Sequence, residues 1–285
     1  MSFYIALKNI KAQHVNALNN INNVGFPAIT GFLGLTESIA FTYKIKTNGT
    51  CIIHKGQELE AHVDKYKNIY THKIKGSSYS IDGTKPNNIA LSDQPSVLSF
   101  FSCSLILSFE EDDSSELRKD IASGKFSHML HAKKRFIGGN IIDIEKVVIY
   151  NDWDSVYDYL MKEEKGFFVL DARKEIEKQA ESKNQLEAVR DLLYFQEEDF
   201  VVESETDVFK KRWYALTSIG YYLINELQEI SGSRENKRHA FVENMLGLIE
   251  FKSKKELENI LREQDIFWMY KEENSLIVAQ QTYFN

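Results

Sequence analysis

The spacing of apolar residues changes from a period of two to a helical period near residue 27, which predicts a strand followed by a helix. Phe3–Lys11 shows the alternation of a strand. In Pro27–Tyr43 the apolar residues recur on one side of a helix. A proline suits the first helical position because its missing N–H would have no partner there. An asparagine-rich turn is predicted between the two elements.

The start of this helix is a candidate anion site. The first N–H groups of a helix have no partner inside it, so an exposed start favours a phosphate. Thr30, Gly34 and Ser38 also form a strip of small residues along which another backbone can approach. A helix that packs on a sheet, with glycine at the contact, accounts for the same residues without any ligand.

The same two periodicities predict the remaining elements. Strands are predicted at Cys51–Val63, Val97–Phe109, Ile141–Tyr150, Phe167–Leu170, Phe241–Phe251, Ile266–Tyr270 and Leu276–Ala279. Helices are predicted from Ser114 or Ser115 to Ala122, from Asp152 or Asp154 with Gly166 at C′, at Ala172–Phe195, and from the Ser253/Glu256 capping box to Arg262. Asn48-Gly49 predicts a tight turn between two strands.

This order of elements predicts one α+β domain over residues 1–285. The expected core is a ferredoxin-like (RRM-like) antiparallel sheet with helices on one face. Two insertions interrupt it. Residues 64–96 are polar with little periodicity, which predicts a long thumb-like hairpin or loop, and residues 172–198 predict a charged helical insertion.

Composition adds limits on class and compartment. With 285 residues and 43% hydrophobic content, the chain can bury a substantial core. Cys51 and Cys103 lie in apolar patterns and read as buried residues in a reducing compartment. The amino end lacks the pattern of a signal peptide, and the apolar run Val97–Phe109 is too short to cross a bilayer. We therefore expect a cytoplasmic protein without a membrane, metal or cofactor.

The formal net charge of -7 argues against a general nucleic-acid binder, but the charges are unevenly distributed. Residues 1–110 contain 10 Lys/Arg and 7 Asp/Glu, a balance of +3, so the remaining residues carry -10. This asymmetry permits an RNA-facing part and an acidic part that is solvated or meets a basic partner. An ordinary acidic cytosolic enzyme would also fit these numbers.

Several segments, in matching order over nearly the whole chain, resemble one family. They are Gln13-His14-Val15-Asn16-Ala17, Gly25-Phe26-Pro27-Ala28-Ile29-Thr30-Gly31-Phe32-Leu33-Gly34, Cys51-Ile52-Ile53-His54-Lys55 with Glu58-Leu59, Arg135-Phe136-Ile137-Gly138-Gly139-Asn140-Ile141, Phe241-Val242-Glu243-Asn244-Met245-Leu246-Gly247 and Asp265-Ile266-Phe267-Trp268-Met269-Tyr270. The family is that of the second Csy subunits, the Cas-five-type members of type I-F CRISPR surveillance complexes. Ile249 departs from a glycine of the family, and residues 172–230 match weakly.

The resemblance implies a RAMP-type subunit that binds rather than cuts. Such a subunit would hold the 5′ handle of the CRISPR RNA and pair with the large subunit of the complex. It would cap the filament next to the terminal backbone subunit of the Cas-seven type, near the place where the PAM of the target double-stranded DNA is read. RNA processing would belong to a separate subunit.

RNA binding in such folds uses backbone N–H groups, asparagines and cations on phosphates, with aromatic rings on bases. The candidates are Asn16, Asn19, Asn20, Phe26, Pro27, Thr30 and Gly31 near the first helix, His54 in the matching strand, Tyr70, His72, Lys73 and Lys75 in the thumb-like segment, Arg135, Gly138 and Gly139 in a glycine turn, and Arg234, Lys237 and Arg238 in a polar loop. For each group a structural turn or a solvated loop is the alternative.

Two other functions stay open. A CRISPR-RNA-processing endoribonuclease of the same superfamily would use His72 with Tyr70 and Lys75, or the pair His128 and His131, as general acid and base. A ferredoxin-like protein-interaction module would bind no RNA at all. The sequence contains no HExxH, P-loop or GxSxG motif.

Overall fold

The computed structural model describes residues 2–20, 23–64, 69–72, 77–80, 89–92, 97–111, 114–193, 213–229 and 238–281. Its strands, in chain order, are β1 (Ser2–Asn16), β2 (Leu18–Asn20), β3 (Asn23–Val24), β4 (Thr47–Leu59), β5 (Ala61–Asp64), β6 (Ile69–His72), β7 (Ser77–Ser80), β8 (Ile89–Ser92), β9 (Leu98–Glu110), β10 (Asn140–Tyr150), β11 (Phe167–Asp171), β12 (Trp213–Leu223), β13 (Gln228–Glu229), β14 (Arg238–His239), β15 (Val242–Lys252), β16 (Trp268–Glu273) and β17 (Leu276–Gln281).

Seven α-helices lie within the described residues. They are α1 (Ile29–Tyr43), α2 (Ser115–Ala122), α3 (Lys125–Lys133), α4 (Trp153–Lys162), α5 (Arg173–Ala180), α6 (Gln185–Leu193) and α7 (Glu258–Arg262), and a short 3-10 turn, Lys254–Glu256, precedes α7. The predicted capping box is present at this turn, where Ser253 and Glu256 bond reciprocally. A mixed α and β composition with a large antiparallel sheet is confirmed.

The sheet contains nine strands in the order β10-β1-β9-β4-β11-β15-β12-β17-β16, and its register is antiparallel throughout. In the first four strands, β1 is followed by α1, β4, β9, two helices and β10. Strands that follow one another along the chain through a helix are therefore separated in space by an intervening strand. This arrangement places the carboxyl ends of β1 and β4 and the amino end of β10 at one edge of the sheet.

The expectation that helices cover one face is wrong, because both faces of the central strands are apolar. Phe3, Ile5 and Leu7 of β1 pack in a core that includes side chains from α1, α2 and α3. Tyr4 and Ala6 point to the other face, where a second core includes side chains from α4 and α7. Successive side chains of a strand point to opposite faces, so two apolar parities require two layers of helices.

Asn48-Gly49 is not the predicted tight turn. β4 runs through this pair, and its register against β9 shifts between Thr47 and Gly49, which marks a bulge. Gly49 has a φ of 122°, and a Cβ atom there would lie 2.7 Å from the carbonyl oxygen of Trp268. Glycine is therefore required at the bulge, because β16 approaches β4 closely at this point.

The two predicted insertions also differ from expectation. Residues 64–96 contain strands that pair as two hairpins, β5 with β6 and β7 with β8. The long charged helix is divided into α5 and α6, because the side chain of Asn184 accepts the N–H of Glu187 and starts a second helix. Gly166 lies beyond the C′ position, since α4 ends at the C-cap Glu163.

The far end of the sheet returns to its middle strand. β4 pairs along one edge with β9, and its other edge is shared between β11, through Ile53 and His54, and β16, through Thr50. The pairings thereby close a ring through β4, β11, β15, β12, β17 and β16. The buried side chain of Gln281 bridges the gap between β11 and β16, donating to the carbonyls of Val169 and Ile266.

Candidate nucleic-acid interface

A tight turn at Phe136–Gly139 lies at the edge of the sheet where β1 ends. The N–H of Gly139 donates to the carbonyl of Phe136 over 2.9 Å, and Ile137 and Gly138 have φ values of 51° and 79°. Positive φ at both central residues is the geometry of a type I′ turn, which a β-branched residue such as Ile137 adopts only under strain. The tight-turn alternative for this segment is therefore present.

This turn packs directly on the end of β1. The N–H of Asn16 donates to the carbonyl of Ile137 over 3.0 Å. A Cβ atom at Gly139 would lie 2.3 Å from the carbonyl oxygen of Gln13, so only glycine allows the two backbones to approach this closely. Gly138, in contrast, is exposed. The structure thus brings together Asn16, Gly138 and Gly139, three candidates that are distant in sequence.

Arg135 is the exposed cation at this turn. Its guanidinium donates to the side-chain oxygen of Asn140, the first residue of β10. The neighbouring Lys134 is different, because its ammonium donates to the carbonyl and hydroxyl of Ser38 and to the hydroxyl of Thr42 on α1. Burial lowers the pKa of Lys134. Arg135 therefore presents charge to solvent, whereas Lys134 fixes the segment to α1.

His14 connects this turn to the base of the β5–β6 hairpin. His14 is a residue of β1 with a φ of 56°, and its N–H donates to the carboxylate of Glu60 over 3.3 Å. Glu60 immediately precedes β5, whose first residue, Ala61, pairs in register with His72. His72 and Tyr70 therefore belong to a hairpin that begins beside the turn, although their side chains lie outside the described part of the structure.

The Gly25–Gly34 stretch faces the interior instead. The ring of Phe26 is 4% exposed and packs in an aromatic cluster with Phe32, His54, Phe101 and Phe251, with ring centroids 5.4 to 5.7 Å apart. A buried ring cannot stack on a base without moving the core. These contacts favour a structural role for Phe26, and RNA binding by this residue stays a prediction.

Asn19 is buried and fully engaged within the chain. Its amide nitrogen donates to the carbonyl of Phe26 over 2.9 Å, and its amide oxygen accepts the N–H of Ser218 over 3.1 Å. The hydroxyl of Thr217 contacts the carbonyls of Phe26 and Pro27 at 3.1 and 3.0 Å. Asn19 and Thr217 thereby tie the segment before α1 to β12, which is the structural alternative to phosphate binding.

The expected exposed start of the helix is absent. Helix α1 begins at Ile29, so Pro27 precedes the helix and does not occupy its first position. Pro27, Ile29 and Thr30 are buried, and Gly31 lies against the side chain of Ile137. The carbonyl of Thr30 accepts the hydroxyl of Tyr270. Gly34 has no atom within 4 Å of its Cβ position, so the small-residue strip packs only at its beginning.

His54 lines a cleft of about 520 Å³ beside β11 together with Asn9, Lys55, Glu163, Lys165, Gly166 and Phe167. Its Nδ1 atom is buried without a hydrogen-bond partner, and burial lowers the pKa of His54 from 6.5 to about 4. Lys55 contacts the buried carboxylate of Glu164 and the side-chain oxygen of Asn9. His54 is therefore a neutral ring of the aromatic cluster near neutral pH.

The remaining candidates are only partly described. Asn20 ends β2, and its backbone pairs with Asn23. Arg238 lies on β14 and pairs in register with Glu229. Lys73, Lys75, Arg234 and Lys237 lie outside the described residues.

Neither candidate catalytic pair forms a recognisable site in the described residues. His128 and His131 are exposed on α3, and a ring nitrogen of His131 contacts the carbonyl of Ser127. No group of three or more His, Cys, Asp or Glu residues suited to a metal occurs in the parts of the chain that the structure describes. The helices among those residues are too short or too polar to cross a bilayer.

His14 and Glu60 are site residues that sequence reasoning did not select. His14 was part of the matching run Gln13–Ala17, so a signal for it was present in the sequence. Glu60 had no such signal, because only the fold places the end of β4 beside the end of β1.

A protein-family model described as CRISPR-associated protein (Cas_Csy2) matches residues 5–279 of the chain. No match is found among curated proteins. The family match covers both the turn at Phe136–Gly139 and the aromatic cluster around Phe26.

Proposed function

Because the chain belongs to the Csy2 family, the Csy2 subunits of type I-F CRISPR complexes, we propose that it binds the 5′ handle of the CRISPR RNA without cutting it. In this proposal it pairs with the large subunit and caps the backbone filament next to its terminal Cas-seven-type subunit. The target double-stranded DNA then enters near the PAM. The family match over residues 5–279 is the observation that carries the proposal.

The strand order supports a RAMP-type, ferredoxin-like core. With β1, β4, β9 and β10 counted as its four strands, the succession strand–helix–strand–strand–helix–strand is that of a split βαβ fold. Sheets of this kind occur among RNA-binding modules. The edge formed by the ends of β1 and β4 and the start of β10 is then the part of the core available to RNA.

The chemistry of this edge suits a sugar-phosphate chain. Arg135 is exposed, and a guanidinium can bind a phosphate through two parallel hydrogen bonds. Gly138 is exposed and has no side chain, so a phosphate can approach its backbone. We therefore assign the RNA contact to the Arg135–Asn140 segment, with Asn16 and His14 beside it, and the β5–β6 hairpin as the neighbouring element.

Handle binding by salt titration tests this assignment. Removing one cation that neutralises a phosphate of a single strand lowers the slope of log affinity against log salt by about 0.7. We expect Arg135→Ala to lower the slope by about this amount, and Lys73→Ala with Lys75→Ala to lower it by about twice as much. Arg262→Ala is a matched control, because Arg262 is exposed on α7 and pairs with Glu258. An unchanged slope in both test variants would place the RNA elsewhere.

Incubation with precursor repeat RNA in EDTA tests the absence of catalysis. We expect the RNA to remain intact. Sequence-specific cleavage, abolished by substitution of His72 or of His128 and His131, would instead support the endoribonuclease. A chain that binds its partner subunits but no RNA would support the protein-interaction module.

A further inference from the structure

An exposed apolar surface lies at the opposite part of the sheet, on the ends of β12, β15 and β17. Tyr222, Ile224 and Phe241 are 49%, 57% and 74% exposed. Tyr222 pairs in register with Leu276, and the N–H of Ile224 donates to the carbonyl of Phe241. Residues opposite one another in an antiparallel pair share a face, so these four side chains form one surface, here called the apolar patch.

The apolar patch belongs to the outer face of the ring. The next residue, Tyr221, points the other way, because its hydroxyl contacts the hydroxyl of Thr30 at the start of α1. Asn244, which pairs with Tyr221, also points inward and donates to the carbonyl of Asn19. Among the described residues, the rings of Tyr222 and Phe241 have no aromatic or cationic partner.

Carboxylates flank the apolar patch on both sides. The pairings place Glu273, Leu276, Tyr222 and Glu243 in one row across β16, β17, β12 and β15. Glu243 and Glu273 are exposed, and Glu226 and Glu229 are exposed in the segment that follows β12. Such a surface repels phosphate and attracts cations.

We propose that the apolar patch binds a basic, partly apolar segment of another protein subunit. Two aromatic rings between carboxylates suit a lysine or arginine, because the cation can lie over a ring while its charge meets a carboxylate. A second copy of this chain fits poorly, since it would bring the same carboxylates together. The partner belongs to the same complex, so the inference rests on the proposed function.

Two double variants test the apolar patch. Tyr222→Ser with Phe241→Ser removes the rings, and Glu243→Lys with Glu273→Lys reverses the charge without removing apolar area. Leu186→Ser is the control, because Leu186 is 83% exposed on α6, away from β12, β15 and β17. The other purified subunits of the complex are titrated one at a time against each variant and the parent chain, and the 5′ handle RNA is titrated in parallel.

We expect both double variants to weaken the binding of one subunit by about tenfold or more, since exposed aromatic residues are common binding hot spots. The control and the binding of handle RNA should change by less than about twofold, within the range of surface substitutions. Thermal melting of each variant shows whether the fold is retained, and the charge-reversal pair keeps the test decisive if the ring variant unfolds.

Three results would overturn the inference. In the first, every subunit binds the folded variants as tightly as the parent chain. In the second, the variants lose RNA instead of a subunit. In the third, the apolar patch mediates self-association in sedimentation. Failure of the parent chain to bind the handle would count against the proposed function alone, because subunit binding is measured without RNA.

Discussion

The stretches Gly25–Gly34 and Arg135–Ile141 resemble the same family and carry the same predicted role, but they lie in different environments. The first is organised around the buried ring of Phe26 and the buried amide of Asn19. The second is a strained turn whose Arg135 and Gly138 are exposed. A distinctive motif therefore marks a constraint without saying whether the constraint is packing or binding, and only the environment separates the two.

The largest effect should follow from breaking the interior stretch. Phe26→Ala removes a ring that packs against Phe32, His54, Phe101 and Phe251. We expect a decrease of about 3–5 kcal/mol in the free energy of unfolding, as for other buried phenylalanines. Urea denaturation measures it, with Phe41→Ala as control, because Phe41 is 72% exposed on α1. Equal decreases in the two variants would contradict the packing role of Phe26.

The next effect is a dependence on pH through His54. Burial lowers the pKa of His54 to about 4 in the folded chain, against 6.5 when unfolded. The unfolded state then binds more protons, so this group lowers stability progressively as pH falls from 6.5 to about 4, by roughly 3 kcal/mol at most.

His54→Phe keeps a ring in the aromatic cluster and removes the titrating group. We expect its free energy of unfolding to fall less steeply over this pH range than that of the parent chain, whereas the two should follow parallel curves above pH 7. Parallel curves over the whole range would show that His54 is not buried as a neutral ring.

Two asparagines with the same predicted role give a smaller and more direct contrast. Asn19→Ala leaves the buried N–H of Ser218 without its partner, at a cost of about 1–3 kcal/mol in the free energy of unfolding. Asn16→Ala removes only a local bond to Leu18 in a partly buried turn, and should cost about 1 kcal/mol or less. Urea titrations of both variants would contradict this contrast if Asn16→Ala proved the more destabilising.

The smallest effect on stability should come from the exposed turn. Arg135→Ala removes one exposed bond to Asn140, so we expect a change within about 0.5 kcal/mol. Its consequence should be confined to RNA binding. Thermal melting of Arg135→Ala beside its handle titration measures both quantities. A large decrease in stability would make the turn a packing motif like Gly25–Gly34.

Local periodicity could predict the strands themselves but not the layers around them. β1, β9 and β10 follow from alternation, and the hairpin at Glu273-Asn274 follows from its turn residues. The two helical layers could not be predicted, because Phe3 and Tyr4 are both apolar and a strand with two apolar parities shows no preferred face.

The environment of the candidate residues depended on partners that are distant in sequence. Phe26 is buried by Phe251, and Asn19 is held by Thr217 and Ser218. Nothing within Gly25–Gly34 indicates these neighbours. The turn at Arg135–Asn140 was easier to place, because the geometry of two adjacent glycines is local, whereas its neighbour Glu60 required the register of β4.

The return of β16 to β4 has a consequence for the order in which the molecule can form. A chain grows on the ribosome from its amino end, and β1, β4, β9 and β10 are all available once residue 150 has emerged. The pairing of Trp268 with Thr50, and the side chain of Gln281 that fills the gap, must wait for almost the last residues to be made. Until then one edge of β4 is unprotected beyond its pairing with β11. Nascent chains should therefore need that edge shielded from aggregation during translation.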